Sequence, residues 1–60
     1  MKQKNGFREV WAVYLVDSRG ISMRYTVLKD KDLARAKVKM LKPIFPSLKR
    51  IEIHPELIPL

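Results

Sequence analysis

The sequence predicts an α+β domain with three strands and one helix, in the order strand, strand, helix, strand. Residues 7–16 (FREVWAVYLV) and 21–28 (ISMRYTVL) have the composition and alternation of strands, and DSRG joins them as a hairpin turn. Residues 30–43 (DKDLARAKVKMLKP) have helical periodicity behind an aspartate that can cap the helix. Residues 49–54 (KRIEIH) alternate again, and Pro55 is expected to end this third strand.

The first strand is expected in the middle of the sheet. It is apolar on both faces, with Val10, Ala12, Tyr14 and Val16 on one side and Trp11, Val13 and Leu15 on the other. The second strand has one apolar side, which carries Ile21, Met23, Tyr25 and Val27, and a second side with Ser22, Arg24 and Thr26. These patterns predict a three-stranded sheet of order 2-1-3 with the helix packed on one face.

The helix is predicted to have a basic side and a buried side. Its basic residues Lys31, Arg35, Lys39 and Lys42, here called the helix stripe, fall within about 80° at roughly 100° per residue. The far side is apolar and carries Leu33, Ala34, Ala36, Met40 and Leu41. Lys37 falls within this apolar arc, so either it lies along the sheet edge or the helix is rotated to leave it at a boundary.

One helix covers only one face of a three-stranded sheet, so the other face needs an explanation. An exposed apolar face of this size is typical of an interface. A homodimer through the uncovered face would bury it, as would folding the tail Leu57, Ile58 and Leu60 back over it. The domain prediction is accordingly a flexible basic arm (1–6), one α+β domain (7–55) and an apolar tail (56–60).

Composition favours a polyanionic partner. The chain has 60 residues and a formal net charge of +7. This charge favours association with nucleic acid, an acidic protein surface or anionic lipid, although solubility also explains surface charge. There is no cysteine, no run of about 20 apolar residues and no signal-peptide pattern. We therefore expect a cytoplasmic protein without a membrane span.

Catalytic signals are absent from the sequence. His54 is the only histidine, so neither a zinc site nor a serine-based triad is expected. Glu52 and His54 share one face of the third strand, which is more typical of a surface polar pair than of an acid–base site. We expect no enzyme, no metal and no cofactor.

The candidate binding residues are basic or aromatic. The helix stripe, with Arg19 and Arg24, is predicted to bind nucleic acid or an acidic partner, and lysine on the stripe favours phosphate contact over base reading. Trp11, Tyr14 and Tyr25 would stack bases or form an interface if they lay on the uncovered face. Packing in the core is the alternative for these aromatic residues.

Several short motifs resemble a family of very small phage proteins, the T7-type inhibitors of bacterial RNA polymerase. These are VWAV in the first strand, DLARAK in the helix and IEIHP at the end of the third strand, and together they cover Val10 to Pro55. The resemblance implies a compact phage-type regulator that acts by binding and inhibiting a host protein, in the cytoplasm of a bacterial or archaeal host.

Two departures limit what the resemblance implies. The helix side is acidic in that family and basic here. The two arginines that the family presents on its last strand correspond here to Glu52 and His54. No binding residue therefore carries over, and two functions remain open: nucleic-acid binding through the helix stripe, or regulation of a host protein through the open sheet face or an edge strand.

Overall fold

A computed structural model describes residues 6–59 and has the predicted order of elements. The elements are β1 (Phe7–Val16), β2 (Ser22–Leu28), α1 (Lys31–Ile44) and β3 (Arg50–Pro59). The proposed flexible arm lies, except for Gly6, outside the described residues, and so does Leu60.

The sheet has the order β2-β1-β3, and β1 pairs antiparallel with both neighbours. The prediction of a three-stranded sheet with β1 in the centre is confirmed. Val10, Ala12, Val13 and Val16 are all at most 2% exposed. A strand that is buried on both faces is typical of the middle of a sheet, and β1 has a hydrogen-bonded neighbour on each side.

The β1–β2 turn is held by Asp17 and Gly20. The Gly20 N–H donates to the Asp17 carbonyl at 2.9 Å, and Gly20 has a φ of +87°, which glycine adopts without a steric penalty. The Asp17 carboxylate accepts the backbone N–H groups of Arg19 and Ile21 at 2.9 and 3.0 Å. The turn predicted from DSRG is therefore present, and β2 begins at Ser22, one residue later than expected.

Helix α1 begins behind Asp30 as predicted, but it runs past Pro43. The Asp30 side chain accepts the Leu33 N–H at 2.9 Å, which satisfies one of the free donors of the first turn. The helix continues to Ile44, and the Phe45 N–H donates to the Leu41 carbonyl at 2.9 Å. The prediction that Pro43 ends the helix was wrong by one residue: Pro43 lacks an N–H donor, but Ile44 follows within the helix and the Phe45 N–H closes its last turn.

The helix covers the sheet face that carries Trp11, Val13 and Leu15. Val13, Ala34 and Leu41 are fully buried at the centre of this layer. Half-buried residues surround them, namely Trp11, Leu15, Leu28, Val38, Phe45, Ile51 and Ile53. This cluster draws on all three strands, the helix and the residue after it, so it is the core that joins helix to sheet.

The helix is rotated relative to the predicted apolar arc. Leu33, Ala36 and Met40 were expected inside but are exposed, whereas Val38 is half-buried against the core. Lys37 is half-buried at the boundary, which was one of the two alternatives for this residue. Val38 and Phe45 both contact the core, so burying them turns the helix away from Leu33 and Met40.

A β-bulge in β2 changes which side chains share a face. Val13 pairs with Thr26, but the next residue, Tyr14, pairs with Arg24, so Tyr25 has no partner on β1. An extra residue in one strand reverses the alternation beyond it. The predicted faces were therefore wrong for two residues: Thr26 lies opposite Val13 on the helix side, and Val27 lies opposite Ala12 on the other.

Strand β3 continues through Pro55 to Pro59, and this overturns the predicted strand end and the separate tail. Residues 56–59 pair with the start of β1, from Glu56 opposite Val10 to Pro59 opposite Phe7. Strand β3 has only β1 as a neighbour, and an edge strand tolerates proline where the nitrogen faces away from the ladder. Pro55 and Pro59 are four residues apart, so both nitrogens point to the same side of the strand.

Candidate polyanion-binding surface

The four residues of the helix stripe are all exposed on one flank of α1. They extend over about 16 Å of helix axis, from Lys31 to Lys42, at 1.5 Å per residue. The flank is turned toward β3, because Lys42 lines a cleft together with Arg50 and Ile51. The four residues grouped by helical periodicity are therefore all open to solvent on the helix.

The first residue of the stripe lies against the only tryptophan. The Lys31 Nζ is 5.3 Å from the centroid of the Trp11 ring, within the range of a cation–π interaction. Trp11 packs in the layer between helix and sheet, so it does not present its ring on the uncovered face. The contact also places the tryptophan beside any anion that binds near Lys31.

The three candidate stacking residues do not share one surface. Trp11 and Tyr25 lie on the helix side, where the Tyr25 ring meets Phe45 edge-on at a centroid distance of 6.2 Å. Tyr14 lies on the opposite face, where its ring is edge-on to His54 at 5.3 Å. Core packing, the alternative given for these residues, is what Trp11 shows, and the three aromatic residues therefore form no common stacking surface.

The open face, meaning the face that carries Val10, Ala12, Tyr14 and Val16, is polar at its surface. Tyr14 and Arg24 both donate to the Glu56 carboxylate at 2.6 Å. On the same face, Glu52 contacts the Arg50 side chain, and its Oε1 lies 2.9 Å from the His54 Nε2. These side chains cover the small apolar residues of β1.

The prediction of an exposed apolar patch on the uncovered face was therefore wrong. Val10, Ala12 and Val16 are 2%, 0% and 1% exposed, although no helix lies over them. The long polar side chains of β3 and β2 lie across their short side chains, so the face is closed by the chain's own residues. A homodimer through this face stays a prediction, but apolar burial no longer supports it.

The network on the open face shifts two ionisable groups. The hydrogen bond to Glu56 raises the pKa of Tyr14, because loss of the Tyr14 proton would set two negative charges side by side. The hydrogen bond from Arg50, assisted by His54, lowers the pKa of Glu52. Both pKa shifts favour the forms that the network uses, a neutral Tyr14 hydroxyl and an ionised Glu52 carboxylate.

The ion pairs leave the helix cations without acidic partners. Three ion pairs are found among residues 6–59, joining Arg19 to Asp17, Arg24 to Glu56 and Arg50 to Glu52, and His54 contacts Glu52 as well. Two predicted binding residues, Arg19 and Arg24, are thus partly neutralised within the chain. None of these pairs includes a cation of α1.

Two surfaces were missed by the sequence analysis. An apolar flank on the other side of α1, toward β2, exposes Leu33, Met40 and Ile44, and Met23 is 65% exposed on the helix side of β2. A cleft between α1 and β3 brings Lys49 beside Lys42. The sequence analysis left Val38 out of the buried side of the helix. Because Val38 packs against the core, the helix is rotated and Leu33 and Met40 are exposed. No sequence signal relates Lys49 to Lys42, since the intervening turn decides their separation.

Other site chemistry is not found in the part of the chain that the structure describes. Within residues 6–59, no three acidic, histidine or cysteine side chains come together in a way that would hold a metal ion. In the same range, the only helix is too short and too polar to cross a membrane.

Comparisons with protein-family models, with curated proteins and with solved structures gave no match to this chain. The resemblance to the T7-type polymerase inhibitors therefore stays a prediction that depends on the short motifs alone.

Proposed function

We propose that this chain is a small basic binding module that holds nucleic acid through phosphate contacts of the helix stripe. The observation that carries the proposal is the distribution of ion pairs. Within residues 6–59, carboxylates partly neutralise Arg19, Arg24 and Arg50, whereas Arg35, Lys39 and Lys42 are exposed on one flank of α1 and pair with none. Cations that the fold leaves without counter-charges attract phosphate groups most strongly.

The chemistry of the stripe favours backbone contact over base recognition. Three of its four residues are lysines, which act as point charges, whereas base edges are read mainly by arginine, asparagine or glutamine in a planar bidentate arrangement. Binding should therefore depend weakly on sequence and strongly on ionic strength. A stripe of about 16 Å is long enough to meet several phosphates.

A mobility-shift titration at two salt concentrations tests this function. If the stripe neutralises three or four phosphates, a plot of the logarithm of the binding constant against the logarithm of the salt concentration should have a slope of about −3. Absence of a shift at low salt would refute the proposal.

A matched pair of variants separates the stripe from net charge. In one variant the four stripe residues are changed to glutamine. In the other, Arg8, Arg19, Lys29 and Lys37 are changed to glutamine. Each variant has a net charge of +3, since four charges are removed from +7. We expect binding to be abolished in the first and largely kept in the second. An equal loss in both would mean that overall charge, and not the stripe, holds the nucleic acid.

The apolar flank favours a second candidate, a regulator that binds and inhibits a host protein. Met40 and Ile44 are each 59% exposed, and they lie toward β2, which is an edge strand with a free backbone ladder. Exposed apolar side chains beside a free edge are suited to docking a protein segment. The resemblance to phage inhibitors suggests bacterial RNA polymerase as the first protein to test.

An in vitro transcription assay tests the second candidate. The regulator hypothesis predicts fewer transcripts when the wild-type chain is added to bacterial RNA polymerase, and recovery when Met40→Lys replaces it. If the wild type leaves transcription unchanged, inhibition of this polymerase is refuted. The glutamine variant of the helix stripe is the control, because it keeps the apolar flank while it removes competition for DNA.

A further inference from the structure

The cleft at the C-terminal end of α1 combines positive charge with an apolar wall. It lies between the last turn of the helix and the start of β3 and has a volume of about 230 Å³. Its cationic side chains are Lys42 and Lys49, its apolar wall includes Phe45, Leu48 and Ile51, and Arg50 also lines it. We call this the C-terminal cleft.

The cations of the cleft are available to an anion. Lys42 and Lys49 are exposed and belong to no ion pair within residues 6–59. Arg50 contacts Glu52 on the open face, so the charge of the cleft comes from the two lysines. No acidic side chain lines the cleft. The positive charge of the cleft is therefore not balanced by any acidic side chain in its lining.

The apolar wall is not needed for a simple anion. Phe45, Leu48 and Ile51 are each half-buried, and they contribute surface that a phosphate group cannot use. A nucleotide has both parts, a charged phosphate and a flat base whose faces favour contact with aromatic and apolar side chains. The combination in the cleft matches a phosphate joined to a base.

We infer, on the basis of the proposed function, that the C-terminal cleft holds one unpaired nucleotide and makes this surface selective for single-stranded nucleic acid. The cleft is smaller than the roughly 300–1,000 Å³ of sites for drug-sized ligands, so it accepts one nucleotide unit and not several. A base within a duplex is stacked and paired, so it must first unpair and swing out of the duplex before it can enter a pocket.

The cleft is continuous with the helix stripe. Lys42 belongs to both, and Lys39 and Arg35 follow along the same flank at steps of about 4.5 and 6 Å along the helix axis. A single strand with one base in the cleft therefore continues with its phosphates along the stripe. The stripe supplies affinity, and the cleft supplies the preference for an unpaired base.

Fluorescence anisotropy with three labelled probes tests this inference. The probes are an oligothymidylate, an abasic strand with the same number of phosphates, and a duplex of equal total charge. We expect the oligothymidylate to bind about ten-fold more tightly than the abasic strand, a ratio within the range for stacking one base. The duplex should bind no better than the abasic strand.

Two variants locate the preference in the cleft. Leu48→Ser should bring the oligothymidylate down to the affinity of the abasic strand. Lys49→Gln should weaken both strands about five-fold and reduce the salt slope by about 0.7. Lys29→Gln is the control, with the same loss of charge outside the cleft, and circular dichroism verifies the fold of each variant.

The outcomes distinguish the inference from the proposed function. If thymidylate, abasic strand and duplex bind equally and the stripe variant still abolishes binding, the cleft has no role and the proposed function stands. If Leu48→Ser leaves the preference for thymidylate unchanged, or if Lys49→Gln weakens binding no more than Lys29→Gln does, the cleft is not the site. If no probe binds at low salt, both the inference and the proposed function are refuted.

Discussion

The Tyr14 hydroxyl donates a 2.6 Å hydrogen bond to Oε2 of Glu56, a residue 42 positions further along the chain, and Arg24 donates to the other oxygen of the same carboxylate. The three residues come from β1, β3 and β2, so one carboxylate connects all the strands on the open face. This is how a three-stranded sheet with a single helix closes its second face: polar side chains lie over small apolar ones.

Removal of the Tyr14 hydroxyl should destabilise the fold. In Tyr14→Phe the ring stays while Glu56 loses one of its two donors, so we expect a lower midpoint of thermal unfolding. Tyr25→Phe is the control, because the Tyr25 hydroxyl makes no side-chain hydrogen bond within residues 6–59. Circular dichroism measures both midpoints, and an equal effect of the two substitutions would contradict a role for the network.

Acid should weaken the fold through the β1–β2 turn. The backbone N–H of Ile21 is the main cause that lowers the pKa of Asp17, with Arg19 assisting. A lowered pKa in the folded state contributes stability above the unfolded value of about 3.9, and this contribution is lost as pH falls through the folded value. We therefore expect unfolding to become easier below about pH 4.

The comparison of Asp17→Ala with the wild type isolates this effect. The variant should be less stable at neutral pH, and the difference in thermal midpoint should shrink between about pH 6 and pH 2 as the wild-type carboxylate is protonated. Glu9→Gln serves as the control, since Glu9 is exposed on β1 and belongs to no ion pair within residues 6–59. A difference that stays constant with pH would mean that the Asp17 charge does not stabilise the turn.

Truncation of Val13 should be the most damaging change of a single small side chain. Val13 is 0% exposed between the helix and the sheet, and Val13→Ala should lower the free energy of unfolding by about 2 kcal/mol. That is a large share for a domain of 60 residues, whose total stability is expected at about 3–9 kcal/mol. Urea denaturation of the variant and the wild type measures this difference in the free energy of unfolding. Val27→Ala, at a 36% exposed position on β2, should cost less than about 1 kcal/mol.

Nucleic-acid binding should change the fluorescence of Trp11. Trp11 is the only tryptophan, and the Lys31 ammonium lies over its ring. A phosphate that draws Lys31 away alters the electrostatic environment of the indole, so we expect a saturable change of emission during titration with single-stranded DNA. In Lys31→Gln this change should be much smaller, whereas Arg35→Gln should keep it at reduced affinity. A full change in Lys31→Gln would place the bound phosphate elsewhere.

The elements themselves were predictable because local chemistry specifies them. The bounds predicted for β1 agree with Phe7–Val16, and the Asp30 cap and the DSRG turn form as expected. The order 2-1-3 followed from one observation: β1 is apolar on both faces, which is typical of a strand in the middle of a sheet. The helix stripe was predictable for the same reason, since α-helical geometry alone brings Lys31, Arg35, Lys39 and Lys42 together.

The sequence by itself thus determined the elements, their order and one basic flank, because these depend on periodicity, caps and turns between near neighbours. Tertiary structure alone decided which face the helix covers, how far the helix is rotated, and that Pro55 lies inside an edge strand. It also placed the bulge at Tyr25, closed the open face with Glu56, and brought Lys49 to Lys42. Each of these depends on contacts between distant parts of the chain, and local patterns do not specify such contacts.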